Sequence, residues 1–187
     1  MRKALLFVSV LALTACSKKD NGPTIDFGAG DGFSHRDAQN QNGGTQDATD
    51  WTSDASWNES EQLLFASLNL SLTGPQEPAG NWTGYFFPNP CAVGNSGKLC
   101  IYFTRNNLLP PTSRRVSFVV VDSHYKQLDA FDYEINTSTA ISSYFSESQL
   151  RLDATKYASG GMYRIYYVLY YPGQKVFYRG HGDIKIK

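Results

Sequence analysis

From residue 82 onward, hydrophobic and polar positions fall into short runs separated by turn signals, at the spacing of about ten residues that marks a sandwich or barrel. The run 82–87 stops at Pro88-Asn89-Pro90, and 99–104 follows. The run 116–122 is almost continuously apolar, which fits a central strand. At 127–135, Leu128, Ala130, Asp132 and Glu134 alternate with Phe131, Tyr133 and Ile135. Shorter candidates are 140–145 and 149–153. The strongest run, 162–171, lies between Gly160-Gly161 and Pro172-Gly173, and 175–179 returns from it. Gly180-His181-Gly182 breaks that return in the manner of a bulge. The chain then alternates again over 183–187, with Ile184 and Ile186 on one face. These runs predict an all-β fold over 82–187: an immunoglobulin-like antiparallel β-sandwich of about 7–8 strands, with a small barrel as the alternative.

The stretch 51–81 reads differently. Ser56 and Glu59 have the spacing of a capping box, and Trp57, Leu64 and Leu68 fall near helical spacing, which predicts a short helix over 57–66. Leu68, Leu70 and Leu72 then alternate as extended chain. Trp51 and Trp57 are read as plugs that pack this lead-in on the domain. Residues 16–50 carry few apolar side chains to bury, and their composition predicts a flexible tether spanning roughly 30 Å. Asp26 and Asp31 lie among glycines, but the alternating ligands and closing glutamate of a calcium loop are absent.

At the start of the chain, Arg2 and Lys3 precede an apolar run at 4–13 that is far shorter than the roughly 20 residues of a membrane span. That run ends in Leu13-Thr14-Ala15-Cys16, which resembles the lipobox of bacterial lipoproteins. The resemblance implies that residues 1–15 are removed and that the Cys16 sulfur carries a diacylglyceryl group. The membrane is then a partner through that lipid, and two or more acyl chains make the attachment stable. Ser17-Lys18-Lys19-Asp20-Asn21 resembles in part the export tract of Bacteroidetes surface lipoproteins, so the expected location is the outer membrane, at its periplasmic face or at the cell surface.

Charge narrows the partners. The 187 residues hold 17 basic and 17 acidic side chains, and loss of Arg2 and Lys3 leaves 15 against 17. Nothing in that balance suits nucleic acid or a polybasic membrane patch. Cys91 and Cys100 form an even pair in a chain marked for export, and the glycine-containing segment between them could close a tight loop, so a disulfide is expected. Free or metal-binding thiols are the alternative.

Candidate chemistry is thin. The chain has three histidines, His35, His124 and His181, and carries no nucleophile elbow, zinc-helix motif or phosphate loop. No catalytic residue, metal or cofactor is expected. Aromatic residues make up 14% of the chain, and six of its 12 tyrosines crowd the last hairpin. Alternation puts Tyr163, Tyr167 and Tyr171 on one face of the 162–171 strand and Tyr166 and Tyr170 on the other. One face should be buried. The other, assigned to Tyr166 and Tyr170, would be an aromatic platform for a sugar ring or a partner protein. The simpler alternative is that tyrosine is a good strand residue covered by neighbouring chain.

Phe87-Pro88-Asn89-Pro90, Val119-Val120-Val121-Asp122, Lys126-Gln127-Leu128, Leu152-Asp153-Ala154, the double glycine and the closing Gly182-Asp183-Ile184-Lys185-Ile186-Lys187 together resemble the C-terminal sorting domain of type IX secretion cargo. Asp50-Trp51-Thr52, with Trp57, Glu61 and Leu64-Phe65, resembles the opening of small Bacteroidetes lipoproteins. These resemblances imply an immunoglobulin-like sandwich in a Bacteroidetes envelope. The expected role is a lipid-anchored, non-catalytic module that binds a protein or surface ligand. An assembly component of an envelope or secretion complex and a carbohydrate-binding surface module are the alternatives.

Overall fold

The computed structural model describes residues 22–74, 76, 80–105, 114–135, 143–171 and 176–187; Cys16 and the signal stretch lie outside them. Among the described residues, eight strands form two antiparallel sheets. They are β1 (Thr52–Ser53), β2 (Gly80–Phe87), β3 (Ser96–Arg105), β4 (Arg114–Val121), β5 (Gln127–Ile135), β6 (Ser143–Arg151), β7 (Met162–Tyr170) and β8 (Val176–Lys185). One sheet has the order β1-β8-β7-β4-β5 and the other β2-β3-β6. Without the short β1 this is the Greek-key arrangement of an immunoglobulin-like sandwich, with β5 added beside β4.

The apolar run at 116–122 does become a central strand, with β4 paired to β5 on one side and β7 on the other. Phe86, Leu99, Ile101, Phe118, Ile165 and Leu169 meet between the sheets, each no more than 1% exposed. Among the described residues, the candidates 140–145 and 149–153 fall on one strand, β6, with 140–142 outside those residues, and 175–179 and 183–187 fall on one strand, β8, with 175 outside them. No bulge occurs at Gly180-His181-Gly182; the β7–β8 register shifts instead between Leu169 and Tyr170. These glycines serve close approach. A Cβ on Gly180 would lie 2.1 Å from the Thr52 carbonyl oxygen, and one on Gly182 would lie 2.3 Å from the Trp51 ring.

The expected flexible tether is instead part of the fold from residue 22. Ile25 and Phe33 are buried, and the Ile25 N–H donates to the Ser123 carbonyl at 2.8 Å. Local side-chain bonds order the polar stretch: Asp37 accepts from the N–H groups of Gln39 and Gln41, and Asp47 accepts from Thr49. Trp51, with φ +61°, turns into the gap between β2 and β8, and its N–H donates to the His181 carbonyl. The helix is shorter than expected and starts later: α1 spans Glu59–Leu63, and its capping box uses Asn58 and Glu61 rather than Ser56 and Glu59. A 3-10 turn follows at Ala66–Leu68. This strap, residues 22–74, lays Arg36 on Tyr85 of β2, wedges Trp51 between β2 and β8 and packs its other apolar side chains over the outer face of the five-stranded sheet. There Ile25, Trp57, Phe65 and Leu72 join Val119, Val121, Tyr166, Val168 and Tyr170 in a second apolar cluster.

Candidate functional site

The alternation of tyrosines along β7 is as read from the sequence, but neither face is open. Tyr163 and Tyr167 belong to the core between the sheets. Tyr166 is 0% exposed and Tyr170 6%, because the strap covers their side of the sheet. The expected platform of Tyr166 and Tyr170 is therefore a packing surface. Trp57 meets Tyr166 edge-on with ring centres 5.6 Å apart, and Tyr125 stacks on it at 6.2 Å. The Tyr166 hydroxyl donates to Glu61 at 2.9 Å, and the Tyr170 hydroxyl donates to Asp132 at 2.6 Å. Burial, with the Glu61 charge beside it, pushes the Tyr166 phenol well above its ordinary pKa.

The expected disulfide is absent: Cys91 and Cys100 are both buried and no bond joins them. Cys100 lies in the middle of β3, opposite Tyr85 and Glu147, and its neighbours Leu99 and Ile101 point into the core. Strand alternation therefore aims Cys100 outward. Cys91, in the β2–β3 connection, packs into the core and donates its N–H to Lys185. The two sulfurs are on opposite faces of the sheet. Burial raises the Cys91 thiol pKa, which keeps it in the unreactive protonated form.

The histidines and carboxylates are tied up locally. His181 Nδ1 lies 2.8 Å from both carboxylate oxygens of Asp54, which also accepts from Trp57 Nε1 at 2.7 Å. His35 meets Asp31, and His124 meets Ser123. Asp129 accepts from Tyr157 and pairs with Lys156, while Asp132 pairs with Arg115. Among the described residues, no group of three His, Cys, Asp or Glu side chains is placed to hold a metal. An open cleft of about 270 Å³, lined by Asp31, Phe33, Thr45, Asp47 and Thr49 among others, lies within the strap. It is smaller than the roughly 300–1,000 Å³ of ordinary ligand sites.

A buried polar clasp joins strap to sandwich, and nothing in the sequence reading marked it. Arg164 on β7 makes a two-pronged bond to Asp183 on β8, with both contacts at 2.7 Å, and also donates to the Asp26 carbonyl. Asp50 accepts the N–H of Ser34 and that of Asp183. Asn89 donates to the carbonyls of Ser34 and Asp183 and accepts the Lys185 N–H. Burial, reinforced by the Asp183 charge, pushes Asp50 up to about 7 against the pull of its two N–H donors. Removing one partner from such a buried network leaves the others uncompensated and is costly.

A second aromatic group, partly exposed, lies on the other sheet. Because Phe86, Leu99 and Ile101 point inward, Tyr85, Phe87, Lys98, Cys100 and Tyr102 share the outer face of β2 and β3. On this face Tyr102 is 36% exposed and Tyr85 half-buried, whereas Phe87 and Cys100 are buried. The Arg36 guanidinium lies 4.0 Å from the centre of the Tyr85 ring, and Lys98 lies over Phe87 at 5.8 Å. This face combines flat rings with cationic donors, the chemistry suited to stacking on a sugar ring or a partner side chain.

No family model matches the chain, and no curated protein matches it. Solved structures similar to part of it include a glycosyl hydrolase family 2 member from Bacteroides cellulosilyticus (12% identity, TM-score 0.43, 55% of this chain and 14% of that one). Another is a putative beta-galactosidase from Bacteroides fragilis (13% identity, TM-score 0.37, 62% and 17%). A third is the CARDB domain of the PF1109 protein from Pyrococcus furiosus, solved with di-metal ions (9% identity, TM-score 0.37, 62% and 95%). This chain spans about one-seventh of the glycosyl hydrolase chain's length.

Proposed function

We propose that this protein is a lipid-anchored envelope module, non-catalytic, that binds a protein or surface ligand through the outer face of β2 and β3. The observation that carries the binding face is the contrast between its two sheets. The strap buries the tyrosines of one, while Tyr85 and Tyr102, with Arg36 and Lys98 beside rings, line the other. The anchor rests on Leu13-Thr14-Ala15-Cys16, and the outer membrane of a Bacteroidetes-type cell is the location that fits it. The test compares Tyr85→Ala and Tyr102→Ala with the parent on a glycan array and in pull-downs from envelope extracts. Loss of a captured ligand in both variants, with folding intact, supports the reading. Unchanged capture in both rejects the face. The alternative, an assembly component docking along a sheet edge, draws on β6, one of the two edge strands of the three-stranded sheet.

A further inference from the structure

We propose that the stretch 34–36 is a proton-controlled cover over the Tyr85 ring, closed while the Asp50 carboxyl holds a proton and opened by its ionisation. This adds a regulation to the face of β2 and β3, and rests on the reading of that face as the binding surface. Arg36 is the covering residue. Its guanidinium lies 4.0 Å from the centre of the Tyr85 ring, and one of its terminal nitrogens donates to the carbonyl and the side chain of Asn40. On the side that Arg36 occupies, the ring is closed to a ligand. Backbone bonds dock this residue on the sandwich. The Arg36 N–H donates to the Asn89 carbonyl and the Asn89 N–H to the Arg36 carbonyl, both at 2.8 Å. Ser34, two residues earlier, is buried; its carbonyl accepts from Asn89 Nδ2 and its N–H donates to Asp50.

The charges around Asp50 do not balance. Asp50 is buried, and Asp183 on β8 takes both prongs of the Arg164 guanidinium on β7, so one cation serves two buried carboxyl groups. Asp47 adds negative charge beside Asp183, and His181, also beside it, is engaged by Asp54. The Tyr167 phenol behind them is buried and stays neutral. Ionised Asp50 therefore keeps only the N–H groups of Ser34 and Asp183 as partners. A buried charge without a cation favours any state in which water reaches it. Lifting Ser34 off Asp50 is the local move that admits water. Ser34 and Arg36 lie on one short stretch bonded to Asn89, so the same move carries the guanidinium off Tyr85. Burial and the Asp183 charge push the closed-state carboxyl up from the ordinary 3.8 to about 7. The closed state thus holds the proton more tightly than the open one, and opening grows as pH rises between those two values.

Hydrogen exchange of the full-length protein, corrected for the intrinsic effect of pH, tests the cover. Peptides containing residues 34–36 are compared with peptides from β4 at about pH 5 and about pH 7, in the parent and in Asp50→Asn. In the parent, the 34–36 stretch is expected to exchange faster than β4 at both values, because it opens without the sandwich unfolding. Its opening equilibrium should rise at least about tenfold from the lower pH to the higher, and Asp50→Asn should show no such rise. Hydroxyl-radical footprinting of the same samples reads the ring: oxidation of Tyr85 relative to the exposed Tyr102 should increase with pH in the parent. A stretch that exchanges as slowly as β4, an opening that ignores pH, a rise that persists in Asp50→Asn, or an opening with no gain at Tyr85 overturns the proposal. If Asp50→Asn does not fold, the parent's exchange and footprint decide alone. Neither readout involves a ligand. A cover that opens while Tyr85→Ala and Tyr102→Ala keep every captured ligand therefore rejects the binding face and leaves the cover standing.

Discussion

The Trp51 ring lies directly over the α-carbon of Gly182: a methyl group there would sit 2.3 Å from its Cδ2. Gly84 on β2 faces the same ring, with a Cβ position 2.7 Å from Cε3. Two glycines on strands of different sheets thus open the slot through which the strap closes the sandwich. Gly182→Ala is expected to cost about 1–3 kcal/mol by overpacking. Trp51→Ala, which empties the slot, is expected to cost about 3–5 kcal/mol. Urea denaturation measures both, and a neutral Gly182→Ala would contradict the packing.

Tyr166 is expected to behave as a core residue. Tyr166→Phe removes the bond to Glu61 and should cost about 1 kcal/mol. Tyr166→Ala leaves a cavity and should cost about 3–5 kcal/mol. Ligand capture per folded molecule should be unchanged in Tyr166→Phe; its loss there would return the binding face to the β7 side.

Asp50 sets a pH dependence. Its pKa in the folded protein, about 7, lies above the ordinary 3.8, so the folded state holds the proton more tightly than the unfolded chain. Its contribution to stability is complete below about pH 4 and is lost as pH rises through about 7. Asp183, also raised by burial, and the Arg164 guanidinium paired with it face the same clasp. Asp50→Asn turns an amide toward one of the two N–H donors and should cost about 1–3 kcal/mol at pH 4. It should also flatten the fall in stability between pH 4 and 8. Parallel slopes for parent and variant in denaturation series across that range would contradict the assignment.

Thiol chemistry checks the cysteines. Without reductant, Cys91 and Cys100 should resist a thiol reagent while folded, and both should react once the chain is unfolded. If neither reacts in denaturant, the two are joined as a disulfide.

The strands were legible because each carries its own period, and the alternation of Tyr163 and Tyr167 against Tyr166 and Tyr170 held in the structure. What covers the Tyr166 and Tyr170 face was not legible, because the cover comes from a segment more than 90 residues earlier in the chain. That strap reads as tether by composition. Its apolar anchors Ile25, Phe27 and Phe33 are sparse, and its order comes from aspartates bonding to backbone, which composition counts as polarity. A signal was present in Gly180 and Gly182, whose spacing marks the approach of Thr52 and Trp51 rather than a break. The cysteine pair misled because spacing in sequence carries no information about which sheet face each side chain takes. The face of Tyr85 and Tyr102 was missed for the same reason: two strands with ordinary alternation do not announce which sheet the strap covers less.

The anchor is tested most directly by growing cells with an alkyne-tagged fatty acid and reading the tag on parent and Cys16→Ser protein, alongside membrane fractionation. The expected result is a tagged, membrane-bound parent, and an untagged variant that is either released or left at its unprocessed size. An untagged parent, or a Cys16→Ser protein that stays membrane-bound at its mature size, would contradict the lipid anchor.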